Sequence, residues 1–275
     1  MTNQDWSAQP EMPLVVDGVS MDYACFGPPP DQALTIVMLH EGLGCTALWR
    51  DFPRQVADRT GMGVFVWSRQ GYGQSDPADL PRPLDFMTRE AVDVLPHVLD
   101  RIGFRRGILF GHSDGATIAA IYAGSVSDMR VRGVILMAPH FFTEPIGLAE
   151  IERARQAYEA GSLKARMSKH HRDPDATFYG WNDAWLASGF KGWNVAEVID
   201  YLRIPVLAIQ GRNDQYGTLA QIEEIESRIY SPVDVAILDN CRHAPHFEQP
   251  DQTLTAVSEF ADRLERIEAA GPVLG

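Results

Sequence analysis

Six short stretches after residue 30 are almost wholly apolar, as strands buried on both faces of a sheet are. Each ends at glycine, proline or a polar residue, and none is long enough to suggest a buried helix. The predicted strands are 33–40, 63–68, 107–110, 133–138, 205–210 and 233–238. Before them, the turn pair Asp17-Gly18 joins two further strands as a hairpin within residues 14–27.

The segments between these strands have the periodicity of helices that pack one face on a sheet. Pro53 is suited to begin a helix that Gly61 ends. Apolar residues at i, i+3, i+4 and i+7 are Leu95, Val98, Leu99 and Ile102, and a last helix carries Leu254, Val257 and Phe260. The alternation predicts an α/β fold, with a mostly parallel central sheet of about eight strands flanked by helices.

Residues 140–203 depart from this alternation, because they contain helical patterns but no strand-like run. They follow the sixth predicted strand, 133–138. We therefore expect a core formed by residues 1–139 and 204–275, with residues 140–203 as a helical insertion between two core strands.

The charge balance disfavours two classes of partner. The chain of 275 residues has 24 Lys and Arg against 37 Asp and Glu, a net charge of −13, which repels nucleic acid and anionic membranes. No stretch is apolar over the roughly 18 residues of a membrane span, and the first residues lack the pattern of a signal peptide. Cys25, Cys45 and Cys241 have no motif spacing, which is typical of reduced thiols. We expect a cytoplasmic protein that binds neither nucleic acid nor membrane. The sequence does not decide whether it forms a homo-oligomer.

The pentapeptide GHSDG (111–115) lies between a predicted strand and a helix of small apolar residues. In that setting G-x-S-x-G presents a serine on a tight strand–turn–helix elbow. The turn is crowded, so the positions two before and two after the nucleophile must be small. Centred on Ser113 they are Gly111 and Gly115. Centred on Asp114, one of them is His112, which is too large, and the pattern therefore favours Ser113 as the nucleophile.

A serine nucleophile needs a general base and an acid that orients the base. Asp214 lies in the loop after strand 205–210, and His243 and His246 lie in the loop after strand 233–238. Because these loops leave the carboxyl edge of the sheet, we expect the side chains to meet Ser113 there. Asp239 is a competing acid, but it stands only four residues before His243.

Four motifs along nearly the whole chain resemble those of α/β-hydrolase-fold proteins: LHEGLG, SRQGYGQSDP, GHSDGA and CRHAPHFEQP. The last resembles the family pattern G-H-x-P-H-x-E-x-P, with Arg242 in place of its glycine. The resemblance implies that His243 is the catalytic base, that Asp214 is the acid, and that His246 holds the loop by hydrogen bonds. Ser, Asp and His also follow in the family's order.

The resemblance further implies an oxyanion hole of two backbone N–H groups. One belongs to Asp114, directly after the nucleophile. The other belongs to the loop HEGLG (40–44), where Gly42 is the matching donor and Leu43 the alternative. Glu41 stands where the family has the first glycine of H-G-x-G. We expect the Asp114 side chain to cap the following helix, with selection of substrates by charge as the alternative role.

In the family, an insertion after the sixth strand covers the active site, and residues 140–203 match its position. Within it, Phe178, Trp181 and Trp185 are expected to contact substrate, together with Leu43 and His112 at the mouth of the site. The histidines of KHHRDPD (169–175) lack the spacing of metal ligands and are expected on a solvated surface.

These features predict a serine hydrolase that cleaves an ester-type bond of a small, apolar or aromatic substrate through an acyl-enzyme, with no metal and no organic cofactor. A carbon–carbon bond hydrolase of ring-cleavage products, a lactonase or a thioesterase would use the same residues. From a different class, the fold also suits a ligand-binding receptor or a cofactor-free lyase.

Overall fold

The chain begins with a small hairpin that lies apart from the main sheet. In the computed structural model, which describes residues 5–270, strands β1 (Leu14–Val16) and β2 (Val19–Met21) pair antiparallel in a two-stranded sheet. Asp17 and Gly18 both have positive φ, as the tight turn between the strands requires.

A seven-stranded sheet forms the centre of the molecule. Its strands are β3 (Tyr23–Phe26), β4 (Thr35–Leu39), β5 (Gly63–Trp67), β6 (Gly107–His112), β7 (Val131–Met137), β8 (Val206–Gly211) and β9 (Val233–Leu238). Their order is β3-β5-β4-β6-β7-β8-β9. Strand β3 is antiparallel to β5 at one edge and every other pair is parallel, as the sequence predicts.

The predicted second strand is divided into β2 and β3 by Asp22. Its carboxylate accepts hydrogen bonds from the backbone N–H of Gln74 at 2.7 Å and from the hydroxyl of Ser68 at 2.9 Å. These bonds tie the chain to the loop after β5, so the hairpin turns away and only β3 joins the main sheet. The main sheet therefore has seven strands instead of about eight, and the predicted sixth strand is β7.

The described residues form ten α-helices. They are α1 (Phe52–Thr60), α2 (Phe86–Arg89), α3 (Leu95–Arg101), α4 (Asp114–Ser125), α5 (Pro145–Glu159), α6 (Ser162–Met167), α7 (Pro174–Leu186), α8 (Ala220–Arg228), α9 (Pro245–Glu248) and α10 (Pro250–Ala270), all within residues 5–270. Short 3₁₀ turns cover Thr46–Trp49, Ser188–Gly192 and Ala196–Tyr201, and a π turn at Glu90–Val94 joins α2 to α3. The π turn ends two residues before Pro96, which has no backbone N–H to donate.

The two faces of the sheet carry separate layers of helices. Alternate residues of β4 point to opposite faces, as the period of a strand requires: Val37 and Leu39 pack with α3 and α4, while Ile36 and Met38 pack with α1 and α10. No helix of residues 5–270 is long and apolar enough to cross a membrane.

The segment between β7 and β8 contains helices α5, α6 and α7 and two of the 3₁₀ turns. Its one strand-like contact is an isolated bridge between Phe142 and Asn194. Its last turn packs on the core: a methyl group at Gly124 of α4 would lie 2.4 Å from the carbonyl oxygen of Val198. The segment thus leaves the sheet after β7 and returns along α4 before β8 begins.

Candidate active site

Ser113 occupies the turn between β6 and α4 with φ 53° and ψ −120°, a conformation that few non-glycine residues adopt. The glycines on either side are required by close contacts. A methyl group at Gly111 would lie 2.1 Å from the carbonyl oxygen of Gly115, and one at Gly115 would lie 2.2 Å from that of Leu39. This crowding is the physical reason for the small residues of the G-x-S-x-G pattern.

Ser113, His243 and Asp214 form a continuous series of hydrogen bonds. The Oγ of Ser113 is 2.9 Å from Nε2 of His243, and Nδ1 of His243 is 2.9 and 2.8 Å from the two carboxylate oxygens of Asp214. Since an ionised carboxylate only accepts, Nδ1 carries the proton and Nε2 is free to accept the serine hydroxyl. A hydroxyl, an imidazole and a carboxylate in this order can transfer a proton away from the serine oxygen.

Asp214 is held as a carboxylate in a buried position. Burial acts to raise its pKa, but the neighbouring His243 and the N–H of Tyr216 outweigh burial and lower it. Gln210 donates a further hydrogen bond to Asp214 at 2.9 Å. The competing acid, Asp239, is 72% exposed and pairs with Arg212, away from His243.

The loop that carries His243 is fixed by Glu248 of the motif CRHAPHFEQP, a role that the sequence does not reveal. The carboxylate of Glu248 accepts the backbone N–H of Arg242 at 2.9 Å and that of Ala244 at 3.2 Å. These two residues flank His243, so the bonds hold the backbone on both sides of the imidazole.

His112 and Glu41 form a second contact to the same loop. Nε2 of His112 donates to the carbonyl oxygen of His243 at 2.7 Å, and its Nδ1 lies 3.6 Å from the Glu41 carboxylate. Burial acts to raise the pKa of Glu41, but His112 and the nearby His40 outweigh it and hold the pKa below the usual range. Residues 41 and 112 are far apart in sequence, and no sequence signal connects them.

The residues of the two predicted oxyanion donors, Gly42 and Asp114, line the same cavity as Ser113. Gly42 is pressed against the indole of Trp181, where a methyl group would lie 2.1 Å from Nε1, and its N–H donates to no protein acceptor in the described chain. Asp114 is the first residue of α4, where a backbone N–H has no acceptor within the helix, and its N–H donates to no protein acceptor in the described chain.

The Asp114 side chain does not cap the helix as expected. It is 1% exposed, and its Oδ2 accepts no hydrogen bond within residues 5–270. The indole N–H of Trp185 approaches the carboxyl group without the geometry of a hydrogen bond, and this N–H also has no partner there. Burial, opposed mainly by Arg69, raises the pKa of Asp114 to about 6.

A cavity of about 260 Å³ opens above Ser113. Leu43, His112, Trp181 and Trp185 line it, in the positions expected of substrate contacts. Phe178, which we expected there too, lies outside the lining. It is fully buried against Tyr158 of α5, with the ring centroids 3.9 Å apart.

Two further histidines differ from the sequence expectations. His246 packs its ring against Trp49 and Phe52, and its Nδ1 has no hydrogen-bond partner in the described chain. It therefore supports the loop by packing instead of hydrogen bonding. His171 is buried, not solvated: its Nδ1 accepts the N–H of Gly73 at 3.0 Å.

Other polar residues near the site have structural partners. His40 accepts the backbone N–H of Arg69 at 3.1 Å, and the Arg69 guanidinium donates to the carbonyl oxygens of His40 and Glu41. The three cysteines are buried and unpaired. Residues 5–270 contain no group of three or more His, Cys, Asp or Glu that could hold a metal ion.

The sequence matches the model of the alpha/beta hydrolase family over residues 36–256. No curated protein sequence matches it significantly.

Solved structures of the same fold cover nearly the whole chain. The proline iminopeptidase of Mycobacterium smegmatis is 18% identical, with a TM-score of 0.73 over 93% of this chain and 99% of that one. The enol-lactonase from Burkholderia xenovorans LB400 is 19% identical (TM-score 0.69, 90% and 98%). The meta-cleavage product hydrolase from Pseudomonas fluorescens IP01 is 19% identical (TM-score 0.66, 91% and 97%). At these identities the likeness shows a shared fold alone.

Proposed function

Because the chain belongs to the alpha/beta hydrolase family, we propose that it is a serine hydrolase that cleaves an ester-type bond of a small, apolar or aromatic substrate. The observation that carries the proposal is the series of hydrogen bonds from Ser113 through His243 to Asp214. It lies at the base of a cavity walled in part by two tryptophans, large enough for a small organic substrate.

In the proposed reaction, His243 takes the Ser113 hydroxyl proton at Nε2 while the serine oxygen attacks the substrate carbonyl. The tetrahedral intermediate collapses, and the leaving alcohol takes the proton from His243. Water then attacks the acyl-enzyme by the same route and releases the acid. Asp214 keeps the imidazole in the required tautomer and stabilises its positive charge.

We assign the oxyanion hole to the backbone N–H groups of Gly42 and Asp114. The contact of Gly42 with Trp181 supports this assignment, because it holds the loop after β4 against the segment that covers the site. One such donor is typically worth about 100- to 1000-fold in rate.

We further propose that residues 140–203 act as a cap over a core formed by residues 1–139 and 204–275. The proposal is supported by Trp181 and Trp185 of α7, which line the same cavity as Ser113. The packing of Val198 on Gly124 suggests that the last turn of this segment belongs with the core helices.

The test is Ser113→Ala assayed with p-nitrophenyl butanoate. We expect kcat/KM to fall by at least roughly 1000-fold, with an unchanged circular dichroism spectrum. Ser227→Ala, at an exposed hydroxyl that bonds only within its own helix, is the matched control. A fluorophosphonate probe should label the wild type and the control but not Ser113→Ala. Retained activity or labelling in that variant would contradict the mechanism.

A panel of esters, lactones, thioesters and vinylogous diketones separates the reactions that share this site. Preferred turnover of esters supports the proposal, and preference for another class replaces it. Saturable binding without turnover would instead indicate a receptor.

A further inference from the structure

The cavity above Ser113 is lined by acidic side chains and by no lysine or arginine among the described residues. The acidic members of the lining are Glu41, Asp114, Glu144 and Glu248. A substrate that carried its own carboxylate would find no lysine or arginine side chain to pair with in this cavity. Such a cavity is unfavourable for anions, because like charges in a partly dry site repel strongly.

Three of these acids have partners within the protein. Glu248 accepts the two N–H groups that flank His243. Glu144 accepts the backbone N–H of Thr218 at 2.9 Å and the amide of Gln221 at 2.8 Å. Glu41 lies 3.6 Å from His112. Their positions are therefore explained by the fold without a ligand.

Asp114 is the one acid of this lining with neither a hydrogen bond nor an ion pair to its carboxylate: the indole N–H of Trp185 approaches it without the geometry of a hydrogen bond. Its Oδ2 and the indole N–H of Trp185 are both buried, both belong to residues of the cavity lining, and neither has a hydrogen-bond partner in the described chain. Leaving a buried polar group unpaired typically costs about 1–3 kcal/mol. A ligand that donates an N–H or O–H to Asp114 would remove part of this cost.

The two arginines near Asp114 do not line the cavity and therefore do not contact a ligand bound there. Arg69 and Arg82 are close enough to favour the ionised form of Asp114. The Arg69 guanidinium already donates to two backbone carbonyls of the loop after β4. With its pKa raised to about 6, mainly by burial, the Asp114 carboxyl is ionised at pH 7.5.

Resting on the proposed hydrolase function, we infer that this site selects uncharged or cationic substrates that present an N–H or O–H donor, and rejects carboxylates. Asp114 is the residue that determines this selection. It does so with its side chain, while its backbone N–H serves the oxyanion. An unpartnered carboxylate in the cavity wall should penalise an anionic substrate about 10- to 100-fold in kcat/KM.

The test uses six esters, in two series of three that differ only in one substituent of nearly the same size and shape. They carry the group CH₂COO⁻, CH₂CONH₂ or CH₂COCH₃ in the para position of a phenyl ring: an anion, a neutral donor and a neutral group without a donor. The ring is placed once on the alcohol side, as aryl butanoates, and once on the acyl side, as p-nitrophenyl arylacetates. The three kcat/KM values are compared at pH 7.5 within each series.

We expect the amide to exceed the carboxylate by at least 10-fold in one series or both, with the ketone between them. In Asp114→Asn the ratio of amide to carboxylate should fall at least 5-fold. The ratio is taken within one variant, so any general loss of activity cancels. Asp239→Asn changes the net charge equally at an exposed site outside the cavity and should leave the ratio unchanged.

Equal values for amide and carboxylate in both series of the wild type would overturn the inference, as would an unchanged ratio in Asp114→Asn. Failure to cleave any of the six esters would instead refute the proposed hydrolase function, so the two failures are distinguishable.

Discussion

Replacing Asp114 by asparagine should stabilise the protein above pH 6 and have a much smaller effect near pH 4. The change keeps the size of the side chain and removes a buried charge that has no hydrogen-bonded partner at Oδ2. The substitution therefore removes the free-energy cost of ionising the buried carboxyl group and leaves the packing of the turn between β6 and α4 unchanged.

The magnitude follows from the pKa of the buried carboxyl. Burial, opposed by Arg69, raises the pKa of Asp114 from 3.8 to about 6. Because the folded value lies above the unfolded one, the folded protein holds the proton more tightly, and stability is lost as the pH rises through this window. The pKa difference of about 2 corresponds to about 3 kcal/mol at pH 8 and to roughly half of that at pH 5.

Thermal unfolding followed by circular dichroism measures the effect. For a chain of this size, about 3 kcal/mol should raise the Tm of Asp114→Asn by about 5 °C at pH 8. The gain should be about half as large at pH 5. No gain at pH 8, or an equal gain at both pH values, would refute the assignment of the cost to ionisation.

Asp175→Asn provides a control of opposite sign. Asp175 also lies in the first turn of a helix, α7, but it is 52% exposed and Lys164 donates to it at 2.8 Å. That hydrogen bond lowers the pKa of Asp175, so the ionised form contributes stability at pH 8. Its replacement should leave the Tm unchanged or slightly lower.

Three further predictions concern the surroundings of the reacting groups. Gly42→Ala should lower kcat/KM for p-nitrophenyl butanoate at least about 10-fold, since its methyl group would overlap Trp181, and Trp181→Leu in the same chain should restore part of the loss. Glu248→Gln should lower kcat about 10-fold with little change in KM, because an amide cannot accept both N–H groups that flank His243; an equal change in KM would indicate a different role. Burial raises the pKa of Cys45 to about 12, so iodoacetamide at pH 8 should leave the activity intact. Loss of activity, together with alkylation of Cys45 detected by mass spectrometry, would contradict this.

The sheet could be predicted because its strands are defined locally. A run of apolar residues ended by a turn residue is sufficient for a strand buried on both faces, and the predicted run 63–68 contains β5, all of whose residues are buried. The run 233–238 coincides with β9, but this strand lies at the sheet edge and most of its residues are only partly buried. The division of the second strand depends instead on Asp22, whose partners Ser68 and Gln74 lie about 50 residues away. A single sequence does not reveal such a contact, so its pattern predicts about eight strands where the main sheet has seven.

The hydrogen-bonded residues of the site were predictable for a similar reason. Asp214 and His243 each follow a predicted strand, and parallel strands bring the loops at their carboxyl ends to one edge. The periodicity of α7 was less informative. Phe178, Trp181 and Trp185 share one helix face, but only the two tryptophans reach the cavity, because Tyr158 covers Phe178. How far an apolar face extends beyond a cavity depends on the neighbouring helix, which periodicity does not describe.

Glu41 is the clearest departure from the family motif, and its surroundings give it a consistent physical role. A glutamate in place of a glycine brings a charge to the loop that is proposed to supply an oxyanion donor. Nδ1 of His112 lies 3.6 Å from that carboxylate, and its Nε2 donates to the backbone carbonyl of His243. Gly44 leaves the space that the Glu41 carboxylate occupies, since a methyl group there would lie 2.3 Å from it. The substitution is therefore accommodated by two other residues, and one of them, His112, also contacts the loop of the proposed base. It follows that Glu41 and His112 should act as a coupled pair on the position of His243, and that replacing Glu41 by the family's glycine would leave His112 without its acidic partner instead of restoring the ordinary site.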